Sequence, residues 1–283
     1  AAPMRVKVWG CRGSIPSPGA ETTRYGGNTT CVEVRLSDGS LVVLDAGTGI
    51  RGLGAAVLRE PSLRRLHLLL THAHWDHVQG FPFFVPAYLD GYSIRVRGGP
   101  LARASLRRFL AHQMDPPFFP VNFADLRASF DFDSSDGEPL QIGGATIEPI
   151  PLKHPNGGYG YQFIEGRRRF VFLTDNEIGY DHPGGLSYDE YARLCRGADL
   201  VLHDAQYTDE QYRRTRGWGH STFAAAVELA ASSRAKRFGI FHHDPAHRDQ
   251  DLDAYVNDCR EELSRRGGRG ELFGVQEGME ISL

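Results

Sequence analysis

Four metal-binding side chains lie within six residues of one another, directly behind an apolar run. They are His72, His74, Asp76 and His77. The run, residues 66–70, is apolar except for His67, as in a strand that is buried on both faces. Such a strand carries the residues that follow it towards the core, where four merely solvated loop side chains are not expected. Imidazole and carboxylate groups are ligands of zinc, manganese and iron, so the pattern predicts a metal site at the end of a buried strand.

Short β-rich segments alternate with helical segments in both halves of the chain. In the first half the pattern predicts strands at residues 4–9, 30–36, 41–45 and 66–70 and a helix at 49–59. In the second half it predicts strands at 145–151, 159–165, 170–174, 200–203 and 237–241 and a helix at about 222–234. Several of these strands end at a His or an Asp, where the ligands of α/β proteins gather. Two such halves predict an α/β fold, a four-layer αββα sandwich.

Residues 80–136 interrupt this rhythm with many prolines and aromatic residues and with one predicted helix at 101–112. We interpret this segment as an elaborated loop region over the active site, within a single domain of residues 1–283. A surface decoration without a substrate role is the alternative. Several of its aromatic side chains could stack on a nucleobase, although aromatic residues beside prolines often pack locally. They are Phe83, Phe84, Tyr88, Phe118 and Phe119.

The composition argues against several classes of protein. A formal net charge of -3 gives no global basic field for non-specific nucleic-acid binding, and the basic residues 167–169 read as a hairpin turn. The four cysteines are too scattered for a zinc knuckle or a redox pair, and they are expected to be buried thiols. No signal peptide and no apolar stretch near the ~18 residues of a membrane span are visible. We therefore expect a cytoplasmic protein without membrane association.

The segment 71–77, THAHWDH, resembles the HxHxDH signature of the metallo-β-lactamase superfamily, and the order of the remaining motifs matches that family from end to end. The resemblance implies a hydrolase that binds two divalent metal ions per chain, with zinc as the first expectation and manganese or iron as alternatives. It implies these ligands for the first metal: His72, His74 and His154. It implies these ligands for the second metal: Asp76, His77 and a terminal histidine. Asp175, which follows a predicted strand, corresponds to the aspartate that bridges the two metals.

The terminal ligand is ambiguous because His242 and His243 are adjacent at a strand end. Alignment by the preceding apolar run makes His242 the ligand and His243 a neighbour in the catalytic pocket, while the reverse assignment stays open. Asp45 resembles the family's aspartate that orients a metal-binding histidine by accepting its free N–H.

Residues 202–206 and 219–222 resemble paired motifs of the branch that contains the tRNA 3'-processing endonuclease, RNase Z, and related cyclic-nucleotide and cyclic-phosphate phosphodiesterases. In that branch the second motif's histidine contacts the phosphate and protonates the leaving oxygen. The resemblance therefore implies that His220 is the general acid and that Asp204 orients its ring. We count Asp76 with them as catalytic, and Ser221 or Thr222 also suits a helix cap. The segments 9–16 and 24–30 resemble segments of bacterial members of the same branch.

These implications favour a dinuclear phosphodiesterase that hydrolyses cyclic nucleotides, or a related small phosphodiester, with metal-activated water. An RNase Z-like nuclease acting on tRNA or RNA 3' ends is the alternative, although the long flexible arm of tRNA-processing members is not evident. A non-catalytic metal-binding sensor or scaffold is a third hypothesis, and intact ligand positions argue against it. A β-lactamase or thioesterase has no support from the His220 motif. Because relatives in this branch are commonly dimers, a homodimer is implied by resemblance.

Overall fold

Two sheets, each of seven strands, form the centre of the computed structural model, which describes residues 2–98, 105–133 and 137–283. The first sheet has the spatial order β14 (Glu280–Ser282), β1 (Arg5–Gly10), β2 (Cys31–Arg35), β3 (Leu41–Leu44), β4 (Arg65–Leu69), β5 (Ser93–Arg97) and β6 (Ser129–Phe132). The second has the order β13 (Glu271–Gly274), β12 (Arg237–Phe241), β11 (Leu200–Asp204), β10 (Arg168–Leu173), β9 (Tyr159–Glu165), β8 (Ala145–Pro151) and β7 (Leu140–Ile142).

Helices cover the outer faces of both sheets. The α-helices of the described residues are α1 (Ile50–Val57), α2 (Trp75–Val78), α3 (Leu106–His112), α4 (Tyr188–Cys195), α5 (Asp209–Thr215), α6 (Phe223–Ser233) and α7 (Asp249–Arg265). Apolar residues of α1 and α3 pack on the first sheet. Those of α4, α6 and α7 pack on the second sheet. The molecule is therefore a four-layer αββα sandwich, and this part of the sequence prediction is confirmed.

Side chains alternate along the strands, so one set lies in the core between the two sheets and the other set lies in the cores between the sheets and the helices. In β10, Phe170 and Phe172 face the first sheet, whereas Val171 and Leu173 face the helices. Because both faces are covered, this strand is apolar at every buried position, as its sequence indicated. Complete burial of each such side chain stabilises the fold by roughly 1.5–3 kcal/mol.

The direction of the strands places several polar residues at the same edge of the sandwich. In the first sheet β3 and β4 are parallel, and in the second β10, β11 and β12 are parallel. The strand β9 is antiparallel to both β8 and β10, so β8 runs in the same direction as β10. The carboxyl ends of these strands lead into Asp45, the segment 71–77, His154, Asp175, Asp204 and His242.

The region 80–136 differs in part from its sequence interpretation. Its described residues contribute two strands, β5 and β6, that extend the first sheet in parallel with β4. These strands were not predicted, because each is short and has only a few apolar residues on one face. The predicted helix 101–112 corresponds to α3, and its predicted start at 101–104 lies outside the described residues.

Two smaller expectations can be compared with the structure. The hairpin interpretation of the basic run 167–169 holds for Arg167, which is exposed in the turn between the antiparallel strands β9 and β10, whereas Arg168 and Arg169 are half-buried residues of β10. The four cysteines are buried free thiols, also as predicted. Among the described residues, no helix combines the length and the apolar character needed to cross a bilayer.

Candidate active site

The first ligand group lies where β4, β8 and β10 end. It contains His72, His74, His154 and Asp175, with one ligand atom of each within 4.8 Å of the others. Nε2 of His154 is 3.0 Å from Nδ1 of His74 and 3.6 Å from Oδ2 of Asp175. Nε2 of His72 is 3.5 Å from the same carboxylate oxygen. Three imidazole nitrogens and one oxygen therefore converge on a single point.

The second ligand group contains Asp76, His77, His242 and Asp175. Here Oδ1 of Asp175 is 3.2 Å from Nε2 of both His77 and His242. Oδ2 of Asp76 is 3.2 Å and 3.1 Å from the same two nitrogens. Asp175 thus presents Oδ2 to the first group and Oδ1 to the second, which is the geometry of a carboxylate that bridges two cations.

Asp45 and Thr71 fix the orientation of two of the imidazoles. Nδ1 of His77 donates to Oδ2 of Asp45 at 2.7 Å, which leaves Nε2 free to face the second group. Nδ1 of His72 donates to the Thr71 hydroxyl at 2.9 Å, and that hydroxyl donates to Asp45 at 2.8 Å. A single buried carboxylate therefore orients one histidine of each group, as partners of metal-binding histidines do.

Gly219 and Gln206 orient two further histidines, His154 and His242, in the same way. Nδ1 of His154 donates to the carbonyl oxygen of Gly219 at 2.9 Å. Nδ1 of His242 donates to Oε1 of Gln206 at 2.8 Å. Because Nδ1 is the donor in both rings, Nε2 is the atom that faces Asp175 and can bind a cation.

The residues present fit a pair of divalent cations. The Nε2 atoms of His72 and His77 are buried and form no hydrogen bond, although carboxylate oxygens of their own ligand groups lie 3.2 to 3.5 Å away; a cation between them would satisfy both. Burial lowers the pKa of His72, and it lowers the pKa of His154 to about 3, so both are neutral as ligands must be. The donor set of imidazoles and carboxylates suits zinc.

The pKa shifts of His77 and Asp175 also fit a cation in the second group. Burial would lower the pKa of His77, but the surrounding carboxylates of Asp175, Asp76 and Asp45 raise it well above its usual value. Burial would also raise the pKa of Asp175, but the imidazoles of His242, His77 and His72 hold it well below its usual value. The site therefore stabilises positive charge at the centre of the group.

Four site residues have left-handed backbone conformations that side chains other than Gly seldom adopt. The φ angles are 68° at Ser14, 62° at Asp45, 54° at Asp175 and 62° at His242. Asp45 and His242 come directly after a strand, and Asp175 comes one residue later. The unusual φ turns these side chains inwards. Each such conformation costs roughly 1–3 kcal/mol, and such strain clusters at functional sites.

His220 and Asp204 form a pair beside the ligand groups. Nδ1 of His220 lies 2.6 Å from Oδ2 of Asp204, and the His220 ring stacks on His242 with 4.7 Å between centroids. Burial would lower the pKa of His220, but the charge of Asp204 outweighs it and raises the pKa to about 9. His220 is therefore protonated at neutral pH. Of the two expected cap candidates, Ser221 and Thr222, it is Thr222 that caps α6 by accepting from the backbone N–H of Ala225.

The structure does not bring His243 into this site. Its ring is fully buried, its Nε2 lies 2.7 Å from the carbonyl oxygen of Val275, and its edge packs against Tyr25. Burial also lowers the pKa of His243 to about 3. The expectation that His243 is a catalytic neighbour in the pocket is therefore corrected: one residue beyond His242, the backbone directs the side chain into the core.

The aromatic residues of the region 80–136 divide into two kinds. Phe83 and Phe118 are 55% and 71% exposed and can meet a ligand. Phe119 packs edge-on against Phe83. Phe84 is 2% exposed within the core of the first sheet, and the Tyr88 hydroxyl donates to a backbone oxygen. The stacking role considered for Phe84 therefore does not fit its position.

Sequence reasoning assigned no role to several residues that support the site. Gln206, which orients His242, lies inside the motif 202–206, and its place in that motif was the signal that could have identified it. Thr71 precedes the first histidine and links it to Asp45. The backbone N–H of Ser14 donates to Oδ2 of Asp76 at 2.9 Å. Because a backbone donor leaves no pattern in residue types, that last contact had no sequence signal.

Two glycines provide a test of the two ligand groups. A Cβ on Gly219, where φ is +101°, would lie 2.1 Å from Nδ1 of His154, and a Cβ on Gly13 would lie 2.5 Å from Nδ1 of His242. We expect Gly219→Ala to weaken metal binding at the first group and Gly13→Ala to weaken it at the second, each about 10- to 100-fold. Calorimetric zinc titration of chelator-stripped protein measures both affinities.

Matched controls exist for each glycine substitution. Gly39 has a φ of +89° with nothing within 4 Å of an added Cβ, so Gly39→Ala reproduces the backbone strain of Gly219→Ala without the contact. Gly144→Ala, whose Cβ would meet only an ordinary contact at 4.0 Å, is the control for Gly13→Ala. Unchanged affinities at both sites in Gly219→Ala would contradict the assignment of His154.

Comparison with known proteins agrees with this geometry. The family model described as beta-lactamase superfamily domain matches residues 41–243, more than half of the chain. An uncharacterized protein of Mycobacterium leprae is 27% identical over 86% of this chain and 78% of its own. Ribonuclease Z of Haloarcula marismortui is 23% identical over 98% of this chain and 96% of its own.

Among solved structures, the metallo-beta-lactamase fold protein YhfI from Bacillus subtilis superposes with a TM-score of 0.71 at 18% identity. The match covers 100% of both chains, so the two share a fold throughout. Together with the match of the family model, this likeness shows that the chain belongs to the beta-lactamase superfamily and is a metal-dependent hydrolase with the metallo-β-lactamase fold.

Proposed function

We propose that this protein is a dinuclear metal-dependent phosphodiesterase that hydrolyses cyclic nucleotides or a related small phosphodiester. The observation that carries the proposal is the surroundings of Asp175. Its two carboxylate oxygens face two separate ligand groups, and the His220–Asp204 pair lies within reach of the same aspartate. A β-lactam or thioester hydrolase needs the metal ligands but has no evident use for the buried, protonated His220.

The proposed metal sites follow the geometry. His72, His74 and His154 would hold the first cation, and Asp76, His77 and His242 would hold the second, with Asp175 shared by both. We propose zinc, with manganese or iron as alternatives, because the ligand types accept all three. A pair of divalent cations lowers the pKa of a water molecule and neutralises both the attacking and the leaving oxygen of a phosphodiester.

His220 then supplies the proton for the leaving oxygen. Its Nδ1 is held by Asp204, so the protonated Nε2 is the atom available to a substrate. The leaving group of an unactivated phosphodiester is an alkoxide, which requires a proton to depart. Asp204 keeps the ring oriented and charged through the hydrogen bond at 2.6 Å.

A nuclease that acts on RNA 3' ends is the second candidate. The observation in its favour is the similarity to ribonuclease Z along nearly the full length of both chains. Against it, the formal net charge of -3 offers no global basic field for a polyanion. The exposed aromatic rings of Phe83 and Phe118 are compatible with a single base in either substrate.

A panel of substrates separates these functions. Zinc-loaded protein is incubated with cyclic mononucleotides, cyclic dinucleotides, bis-p-nitrophenyl phosphate, precursor tRNA, a β-lactam and a thioester. We expect hydrolysis of the small phosphodiesters, with cyclic nucleotides faster than precursor tRNA, and none of the last two compounds. Asp175→Ala, prepared in parallel, controls for contaminating activity. Cleavage of precursor tRNA alone would replace the leading proposal with the nuclease.

We also propose a single domain, residues 1–283, in which the region 80–136 borders the active site. We further propose a cytoplasmic homodimer, since relatives in this branch are commonly dimers. Sedimentation velocity measures the assembly directly.

A further inference from the structure

Glu177 is a fully buried carboxylate two residues beyond Asp175. Its Oε1 accepts from the Tyr212 hydroxyl and from the backbone N–H of Gly217, both at 2.7 Å. Its Oε2 accepts from the backbone N–H of Gly219 at 2.7 Å and from Nε2 of His182 at 2.6 Å. Among the described residues, no Lys or Arg forms an ion pair with Glu177, so these four donors stabilise its charge.

Besides Glu177, two other residues bond to the backbone of the segment 217–219. The carbonyl oxygen of Thr215 accepts from the N–H of Trp218 at 2.9 Å, and Nδ1 of His154 donates to the carbonyl oxygen of Gly219. Gly217 and Gly219 have φ angles of 87° and 101°, and the side chain between them, Trp218, is 63% exposed. With two glycines and one exposed side chain, the turn lacks apolar packing of its own. Two of its three backbone donors, the N–H groups of Gly217 and Gly219, instead converge on the carboxylate of Glu177, which anchors the turn.

This turn touches both parts of the active site. The carbonyl oxygen of Gly219 accepts from Nδ1 of His154, and His220 is the next residue along the chain. A displacement of the turn therefore moves an acceptor of one proposed metal ligand and the backbone of the proposed general acid together. Glu177 also donates its own backbone N–H to the carbonyl oxygen of Lys153 at 2.8 Å, directly before His154.

We propose that Glu177 is a positioning residue of the active site, which holds the 217–219 turn so that His154 and His220 face Asp175. The catalytic part of this inference rests on the proposed function, whereas the structural part does not. A glutamine at this position presents an amide NH₂ to two of the four donors, so it cannot accept from all of them. The buried N–H groups that lose their acceptor favour a different turn.

The test compares Glu177→Gln and Glu177→Asp with Glu165→Gln. Glu165 is a matched control because it is also buried and accepts from the backbone N–H and hydroxyl of Ser37, yet it lies at the end of β9 away from the ligand groups. Thermal unfolding and circular dichroism verify that each variant is folded. Where Glu177→Gln is not folded, Glu177→Asp, which keeps the charge, supplies the same measurements.

Two measurements do not depend on catalysis. In zinc titrations of chelator-stripped protein, Glu177→Gln is expected to lose about 10- to 100-fold in affinity for one of the two ions, with partial recovery in Glu177→Asp. In limited trypsin digestion analysed by mass spectrometry, cleavage after the exposed Arg216 is expected to be about 10-fold faster in Glu177→Gln, because the scissile N–H is released. Glu165→Gln should match the parent in both.

With a phosphodiester substrate, Glu177→Gln is expected to lower kcat and to leave KM nearly unchanged, since the residue does not reach the substrate. A folded Glu177→Gln with the parent's zinc affinities and the parent's cleavage after Arg216 would overturn the proposal. Loss of zinc affinity in this variant, combined with a parent protein that hydrolyses no phosphodiester, would support the positioning role and reject the proposed function instead.

Discussion

Asp175→Ala is expected to lose both metal ions and to reduce phosphodiester hydrolysis to background. Asp175 is the only one of the described residues that belongs to both ligand groups, with one oxygen facing each. Its removal takes a ligand from each cation and the negative charge between them, so the two cations would repel each other without compensation. Elemental analysis after zinc loading and extensive dialysis measures the content per chain.

Asp45→Ala is the comparison for this experiment. Asp45 is as deeply buried as Asp175, but it reaches the site only through His77 and, by way of Thr71, through His72. Loss of such an orienting acceptor typically costs about 10- to 100-fold in metal affinity or activity. Asp45→Ala should therefore retain measurable metal and measurable turnover. Equal losses in the two variants would mean that one of the two roles is assigned wrongly.

His220→Ala is expected to keep both metals and the fold while losing about 10²- to 10⁴-fold in turnover, the usual range for general acid catalysis. His220 is absent from the two ligand groups around His72 and His77, so its removal leaves those groups intact. The loss should shrink for bis-p-nitrophenyl phosphate, because p-nitrophenolate departs without a proton. Measuring kcat on activated and unactivated phosphodiesters, with metal content in parallel, gives the comparison.

Asp204→Asn should show the same dependence on the leaving group more weakly, because it changes only the orientation and charge of the His220 ring. Equal impairment of His220→Ala on both kinds of substrate would indicate that His220 binds the phosphate and does not protonate the leaving oxygen. Undiminished activity on the unactivated substrate would remove His220 from the mechanism.

Much of the site could be predicted because its residues stand at strand ends in recognisable local patterns. The apolar run 66–70 leads into four potential ligands, and His154, Asp175 and His242 each follow a predicted strand. Parallel strands then bring these positions to one edge, so sequence order and strand direction suffice to group them. The four-layer fold follows from the same alternation of strands and helices.

The sequence could not predict the backbone conformation at single residues. His242 and His243 have the same side chain, and the left-handed φ of 62° at His242 separates a cluster residue from a core residue. The contact of His154 with Gly219 joins residues 65 apart, and it uses a carbonyl oxygen that every residue possesses. The strands β5 and β6 were missed because their short segments gain stability from the neighbouring sheet more than from their own sequence.

The most direct test of the dinuclear phosphodiesterase is the rate of bis-p-nitrophenyl phosphate hydrolysis while zinc is added stepwise to chelator-stripped protein. We expect the rate to rise from background and to level off at about two zinc ions per chain, the number that the two ligand groups can hold. The same titration of Asp175→Ala should stay at background. A rate that does not depend on added zinc, or a parent protein that binds zinc and hydrolyses no phosphodiester, would contradict this account.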